Sequence, residues 1–306
     1  MAESPTIVCA LDFSEGSEAA LVRAADLAER LHARLYLLHA HPLFLTEYGS
    51  APQPEEPDEV SQDHIRTFAE RALGGEEALD VLGPTLAVRH GEHAADAVLD
   101  YAGEVGADLL VLGTHGRRGV RHLLIGSVAE EVVRRAPCPV LTVPNAARRT
   151  APSPTAPVLV PVDFSGPSRT ALARAKAFAA PFGAPVELVH VLADAAPYPP
   201  FYLESGVTPV AEVGALAEQA ETHLRRADAD VGGEPAARVH VRVGAAHREI
   251  ALLAEEQEAG LIVMATHGLT GLRHALVGSV TERTLRYAPC PVLSIRMAAA
   301  AENAEA

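Results

Sequence analysis

The chain repeats itself. IVCALDFS at Ile7–Ser14 returns as VLVPVDFS at Val158–Ser165, and RLYLLHA at Arg34–Ala40 returns as PVELVHV at Pro185–Val191. GTHG at Gly113–Gly116 returns as ATHG at Ala265–Gly268, and GSVAEEVVRRAPCPVLTV at Gly126–Val143 returns as GSVTERTLRYAPCPVLSI at Gly278–Ile295. The offset stays between 151 and 153 residues along the whole chain. A period that long means two copies of one domain and not a solenoid of small units. The length of 306 residues agrees, since it suits two hydrophobic cores of ordinary size. The seam is the proline-rich, aperiodic stretch PNAARRTAPSPTAP at Pro144–Pro157. The expected domains are therefore residues 1–146 and 157–297, joined by a linker at 147–156 and followed by a tail at 298–306.

Within each copy the apolar residues fall in short unbroken runs. In the first these are Ile7–Leu11, Leu35–Ala40, Leu86–Val88, Leu109–Leu112 and Val140–Val143. Runs without alternation read as strands covered on both faces, as in a parallel sheet. Between the first two runs, Leu21, Ala24, Ala28 and Leu31 recur at helical spacing, and Leu172, Ala175, Ala179 and Phe182 do so in the second copy. Each copy thus reads β-α-β-α-β-α-β-α-β, which predicts an α/β fold of two repeated, doubly wound, five-stranded parallel sheets. Such sheets take ligands beyond the carboxyl ends of their strands, where the strand order reverses. Two proline-rich segments, His41–Val60 and Ala193–Pro209, interrupt the pattern and read either as flaps over that crevice or as solvated insertions.

Charge narrows the partners. The formal net charge is −15, and Lys176 is the single lysine, so the surface repels polyanions and neither nucleic acid nor an anionic membrane is an expected partner. No basic leader and no long apolar run is visible, which predicts a cytoplasmic protein. Cys9, Cys138 and Cys290 show no metal-ligand spacing and read as reduced, mostly buried thiols.

The remaining signal is the stretch LGTHGRRGVRHLLIGSV at Leu112–Val128. Its glycines lie between a strand and a helix that runs from about Val128 to Arg135, at the crevice end of the sheet. Glycine there lets backbone N–H groups approach an anion, and a helix N-terminus favours one. Ser127 sits near the N-cap, where it can bond helix amides or a phosphate. The stretch is neither a Walker A loop nor GxGxxG. On these grounds the glycines are either a phosphate cradle or simple turn formers.

The spacing of glycine, two residues, glycine, nine residues, glycine and serine, with an aspartate ending the first strand and APCPVL following, closely resembles the universal stress protein family in its tandem form. The resemblance covers both halves. It implies a Rossmann-like sheet of the HUP kind with strand order 3-2-1-4-5, and ATP binding, with Mg²⁺ carried by the phosphates. In the first copy it implies that Ala10, Leu11, Asp12, Phe13 and Ser14 face the adenine and ribose and that Ala40 touches the adenine. Gly113, His115, Gly116, Gly126, Ser127 and Val128 would hold the ribose and phosphates. In the second copy the implied set is Asp163, Phe164, Ser165, Val191, His267, Gly268, Gly278, Ser279, Val280 and Thr281. There Ala265 replaces the first glycine of the pattern.

Several side chains keep two readings. Asp12 and Asp163 either accept a ribose hydroxyl or adenine amine, or help cap the following helix with Ser14 and Ser165. His115 and His267 have no sequence-tied carboxylate or serine and are not expected as general bases. Arg117, Arg118 and Arg121, with Arg273 in the second copy, either neutralise phosphates or are solvated. His39 and His190 in apolar strands are expected as satisfied core histidines, and HGEH at His90–His93 lacks the spacing of a helical zinc pair. The expected function is a tandem ATP-binding stress protein that signals through nucleotide-dependent shape to an unidentified protein partner. Its halves would dock through the fifth strands, Val140–Val143 and Val292–Ile295, and two tandem chains would form a homodimer. The rival readings are a slow ATPase or phosphotransferase and a nucleotide-free interaction protein. No catalytic residue and no dedicated metal site is expected.

Overall fold

The computed structural model describes residues 4–42, 58–114, 125–145, 155–193, 209–233, 236–266 and 277–296. They divide into two compact units. The first contains β1 (Thr6–Leu11), α1 (Glu15–Leu31), β2 (Arg34–Pro42), α2 (Asp58–Leu73), α3 (Glu76–Leu82), β3 (Thr85–Gly91), α4 (Ala94–Glu104), β4 (Leu109–Gly113), α5 (Ser127–Arg135) and β5 (Val140–Val143). The second contains β6 (Val158–Pro161), α6 (Gly166–Ala179), β7 (Val186–Ala193), α7 (Pro209–Val231), β8 (Arg238–Gly244), α8 (Ala246–Glu256), β9 (Leu261–Ala265) and α9 (Ser279–Tyr287). The last strand, β10 (Val292–Ile295), groups with the first unit.

In the first unit the strands run in the order β3-β2-β1-β4-β5, and every pair among these five is parallel. The order reverses at β1, which lies between β2 and β4. The second unit repeats the plan as β8-β7-β6-β9, with β6 at the reversal. The unbroken apolar runs predict strands buried on both faces, and β1 bears this out with Ile7, Val8 and Cys9 at 1% exposure or less. The helical stripes behave alike. Leu21, Ala24 and Ala28 are buried, as are Leu172, Ala175 and Ala179, while Leu31 and Phe182 at the stripe ends are half-buried.

The fifth strands pair as expected, antiparallel, with Leu293 opposite Leu141 and Val292 opposite Thr142. Thr142 donates its hydroxyl to the Val292 carbonyl at 3.2 Å in a fully buried position. Arg296 extends the contact by donating to the Arg135 carbonyl at 3.0 Å.

Two departures from the sequence pattern have physical causes. A single helix between the second and third strands is expected, but the first unit has two, α2 and α3. Gly74 at φ +93° and Gly75 at φ +136° lie between them, in a conformation that side chains oppose and that ends a helix. The second unit has the same kind of pair, Gly232 at φ +74° and Gly233 at φ +92°, ending α7, but β8 begins at Arg238 and leaves no length for a counterpart of α3. The proline-rich segments are also shorter than expected, since His41 and Pro42 belong to β2, Asp58–Val60 to α2, Ala193 to β7 and Pro209 to α7. Their middles lie outside the described residues.

The single lysine is structural. Lys176 on α6 sits 2.6 Å from Asp228 on α7, with side-chain exposures of 12% and 9%, and also donates to the Gly232 carbonyl at 2.5 Å. Asp228 uses its other oxygen to accept from the Ala237 amide at 3.0 Å. Removing one member of a buried pair strands the other charge. The Lys176→Met variant is therefore expected to lose about 3–5 kcal/mol in urea unfolding. Adding Asp228→Asn, which still accepts from Ala237, should recover a large part of that loss.

Candidate functional site

The carboxyl ends of the parallel central strands lie at one edge of each unit's sheet. In the first, Asp12 follows β1, Ala40 lies near the end of β2, Gly113 ends β4, and Gly126 opens α5. In the second, Asp163 follows β6, Val191 lies near the end of β7, Ala265 ends β9 and Gly278 opens α9. These are the positions the strand reversal at β1 and β6 makes available to a ligand.

The strand-to-helix turn after β1 is built on one carboxylate oxygen. Asp12 Oδ1 accepts from the Ser14 amide at 3.1 Å and from the Ser14 hydroxyl at 2.6 Å. That hydroxyl in turn accepts from the Ser17 amide at 3.2 Å and caps α1. The second copy repeats the arrangement, with Asp163 Oδ1 accepting at 3.1 and 2.5 Å from Ser165, and Ser165 accepting at 3.2 Å from Ser168. The capping reading of Asp12 and Asp163 is thus realised at one oxygen of each.

Between aspartate and serine the chain makes a strained step. Phe13 at φ 63° and Phe164 at φ 65° occupy the left-handed region, which bulky residues enter only when their surroundings hold them. What holds them is a histidine. The ring of Phe13 lies 4.5 Å from that of His39, and the ring of Phe164 lies 4.5 Å from that of His190. His39 Nδ1 donates to the Leu11 carbonyl at 2.8 Å and His190 Nδ1 to the Val162 carbonyl at 2.7 Å. Both histidines are satisfied, as their apolar strands predict, but are half-buried and not part of the core. A second ring closes each aromatic group from the following helix, with His64 at 6.4 Å and Phe68 at 5.5 Å in one, and His223 at 5.6 Å in the other. The sequence names Phe13 and Phe164 but carries only one hint of this role, the identical DFS in both copies.

The helix that follows the glycine loop is different. Gly126 at φ −60°, ψ 142° is the N-cap of α5, and Gly278 at φ −58°, ψ 141° is that of α9. Among the described residues neither helix has a side-chain cap, in contrast to α1 and α6. The first amides, from Ser127, Val128 and Ala129 in one copy and from Ser279, Val280 and Thr281 in the other, therefore point out of the helix without a capping side chain. Ser127 and Ser279 are exposed first helical residues and not caps. The loop is closed on the other side by threonine, for the Gly126 amide donates to the Thr114 carbonyl at 2.7 Å and the Gly278 amide to the Thr266 carbonyl at 2.7 Å. Thr114 and Thr266, the T of GTHG and ATHG, were repeated in the sequence but not singled out by it.

The two copies differ where the pattern differs. A Cβ on Gly113 would lie 2.6 Å from the carbonyl carbon and 2.8 Å from the oxygen of Gly16, so the first turn of α1 rests directly on that glycine. Packing is thus one reason for glycine at 113, independent of any ligand. Ala265 lies at the end of an ordinary strand and outside the positive-φ residues, so its methyl is compatible with its backbone. Thr281, where the first copy has Ala129, is buried and donates its hydroxyl to the Ala265 carbonyl at 2.9 Å.

Ala10, Leu11, Asp12, Phe13, Ser14, Ala40 and Gly113 lie at or just past the carboxyl ends of β1, β2 and β4, and Gly126–Val128 at the start of α5. Asp163–Ser165, Val191, Ala265 and Gly278–Thr281 hold the matching places in the second unit. His115, Gly116, His267, Gly268, Arg117, Arg118, Arg121 and Arg273 lie outside the described residues. No cysteine is in a disulfide, and Cys9 and Cys290 are buried. Burial lifts the Cys9 thiol far above the ordinary range and that of Cys138 to about 11, so neither is a thiolate at neutral pH.

Comparison with known proteins gives a consistent pattern. The model of the universal stress protein family matches twice, at residues 4–144 and 155–296. A universal stress protein of Mycolicibacterium smegmatis is 28% identical over 303 residues, covering 95% of this chain and 96% of that protein. One from Methanocaldococcus jannaschii is 33% identical over 141 residues, covering 45% of this chain and 81% of its own length. Among solved structures, a universal stress protein from Archaeoglobus fulgidus superimposes with a TM-score of 0.62 at 20% identity, covering 96% of this chain and 99% of that one. One from Pseudomonas aeruginosa gives 0.66 at 18% identity, with coverages of 95% and 92%.

The Gly113 contact generates an asymmetric expectation. Gly113→Ala should cost about 1–3 kcal/mol in urea unfolding, because backbone and not a flexible side chain must yield. Ala265→Gly should cost no more than about 1 kcal/mol, the price of a freer backbone alone.

Proposed function

The chain belongs to the universal stress protein family, and from that premise we propose that each half binds one molecule of ATP at the carboxyl ends of its central strands. The observation that carries this reading is the pair of helices, α5 and α9, that open on glycine without a side-chain cap beside an aspartate-ended strand. The other two helices that follow the central strands, α1 and α6, open on a serine that satisfies their amides. An N-terminus left open at a sheet crevice suits a phosphate chain, both by its N–H groups and by its dipole. On this reading Ser127, Val128, Ser279, Val280 and Thr281 offer amides to the phosphates. Asp12 and Asp163 turn an oxygen toward the ribose, with Ala40 and Val191 beside the base. Among the described residues no group of three or more His, Cys, Asp or Glu encloses a metal, so Mg²⁺ would enter with the phosphates.

The function that follows is stress signalling in the cytoplasm by a homodimer of tandem chains. Occupancy would alter the surface that an unidentified protein partner reads. No described helix is long and apolar enough to cross a membrane. No side chain is assigned to catalysis.

Releasing and quantifying nucleotide from purified protein, followed by calorimetric titration with ATP and Mg²⁺, tests the reading. The parent chain is expected to hold up to two ATP. Gly126→Val and Gly278→Val, each placing a branched side chain at one helix opening, should each lose one, and the double variant should lose both while keeping its circular dichroism. A parent that neither carries nucleotide nor binds it at millimolar ATP overturns the proposal.

A further inference from the structure

The first unit contains a pair of histidines that the nucleotide crevice does not use. His41 near the end of β2 stands directly opposite His90 on β3, with ring centres 5.7 Å apart. His41 is 7% exposed, and its Nδ1 is buried with no hydrogen-bond partner among the described residues. His90 Nδ1 is likewise buried and unpartnered, while its Nε2 donates to Asp58 Oδ1 at 2.6 Å. That bond fixes the tautomer of a neutral His90, with the proton on Nε2 and a lone pair left on Nδ1. A carboxylate behind one ring nitrogen and an open lone pair on the other is how metal-binding histidines are held in place.

We propose that His41 and His90 form a two-nitrogen site for a borderline transition cation such as Zn²⁺ or Ni²⁺, with Asp58 as the positioning residue behind His90. Imidazoles are the preferred donors for these ions. Two rings bound to one ion at about 2.1 Å place their centres about 5–6 Å apart, which matches the separation here. Water or an added small ligand completes the coordination. The pair belongs to the first copy alone. In matching register β7 and β8 carry Leu192 and Val243, whereas the satisfied histidine is kept in both copies as His39 and His190. The second copy places a half-buried leucine and an exposed valine where the first holds these two imidazoles. The site stands independently of ATP binding, because none of its three residues is in the nucleotide set.

The test is calorimetric titration of the full nucleotide-free chain with ZnCl₂, in a buffer that does not chelate, alongside thermal unfolding with and without the ion. One saturable Zn²⁺ per chain is expected. His90→Gln should weaken it more than tenfold and abolish the rise in Tm that zinc gives the parent. Asp58→Asn should weaken it 10–100-fold. Asp58 is 58% exposed, so this variant should unfold at the parent temperature without metal. Because the chain has 14 histidines, His93→Gln, at an exposed position at the start of α4, serves as the control and should leave the titration unchanged. Absence of saturable binding in the parent, or equal binding in parent, His90→Gln and Asp58→Asn, overturns the proposal.

Discussion

The turn that leaves the first strand of each copy hangs from one carboxylate oxygen. Asp12 Oδ1 and Asp163 Oδ1 tie the end of a central strand to the serine that starts the next helix, and that serine fixes the helix by accepting its amide. The tie leaves room for only one residue, so Phe13 and Phe164 are driven into the left-handed region. A histidine from the neighbouring strand, anchored to a strand carbonyl, then braces each phenylalanine. Strand, turn, helix and the adjoining strand are thus tied to one another by the chain's own bonds. A rigid frame of this kind lowers the ordering cost of binding.

Much of this was legible because the chain offers two copies to compare. Unbroken apolar runs gave away a parallel sheet, since strands covered on both faces have no polar side to alternate with. DFS and the GS pair after the glycine loop mark the turn and the helix opening in both halves. What stayed hidden was geometry without a residue-type signature. The strain at Phe13 comes from its neighbours' bonds, and nothing about phenylalanine announces it. The need for glycine at 113 comes from Gly16, nearly a hundred positions earlier, through contact between backbones. His39 and His41 look alike in RLYLLHAH, yet one nitrogen meets a carbonyl and the other meets nothing, a difference only packing creates.

The copies have diverged outward from that shared frame. The aspartate turn, the braced phenylalanine, the threonine carbonyl and the glycine N-cap agree to within 0.1 Å in their corresponding bond lengths. The periphery does not agree. An extra helix, α3, follows the glycine pair of the first unit where β8 follows that of the second, Thr281 bonds where Ala129 cannot, and His41 faces His90 where Leu192 faces Val243. Duplication preserved the turns at the ends of the central strands and left their surroundings free to specialise.

The strand β10 has a consequence for how the protein is made. It completes the first unit, yet it is encoded at the far end of the chain, and Thr142 waits for a carbonyl 150 residues downstream. During synthesis the first half leaves the ribosome early with β5 as an open edge, a surface on which strands aggregate. The half translated first is therefore the half finished last. Ordinary domain-by-domain assembly from the N-terminus cannot complete this molecule, and a ribosome that stops short of residue 292 releases a protein with a defect in its oldest part.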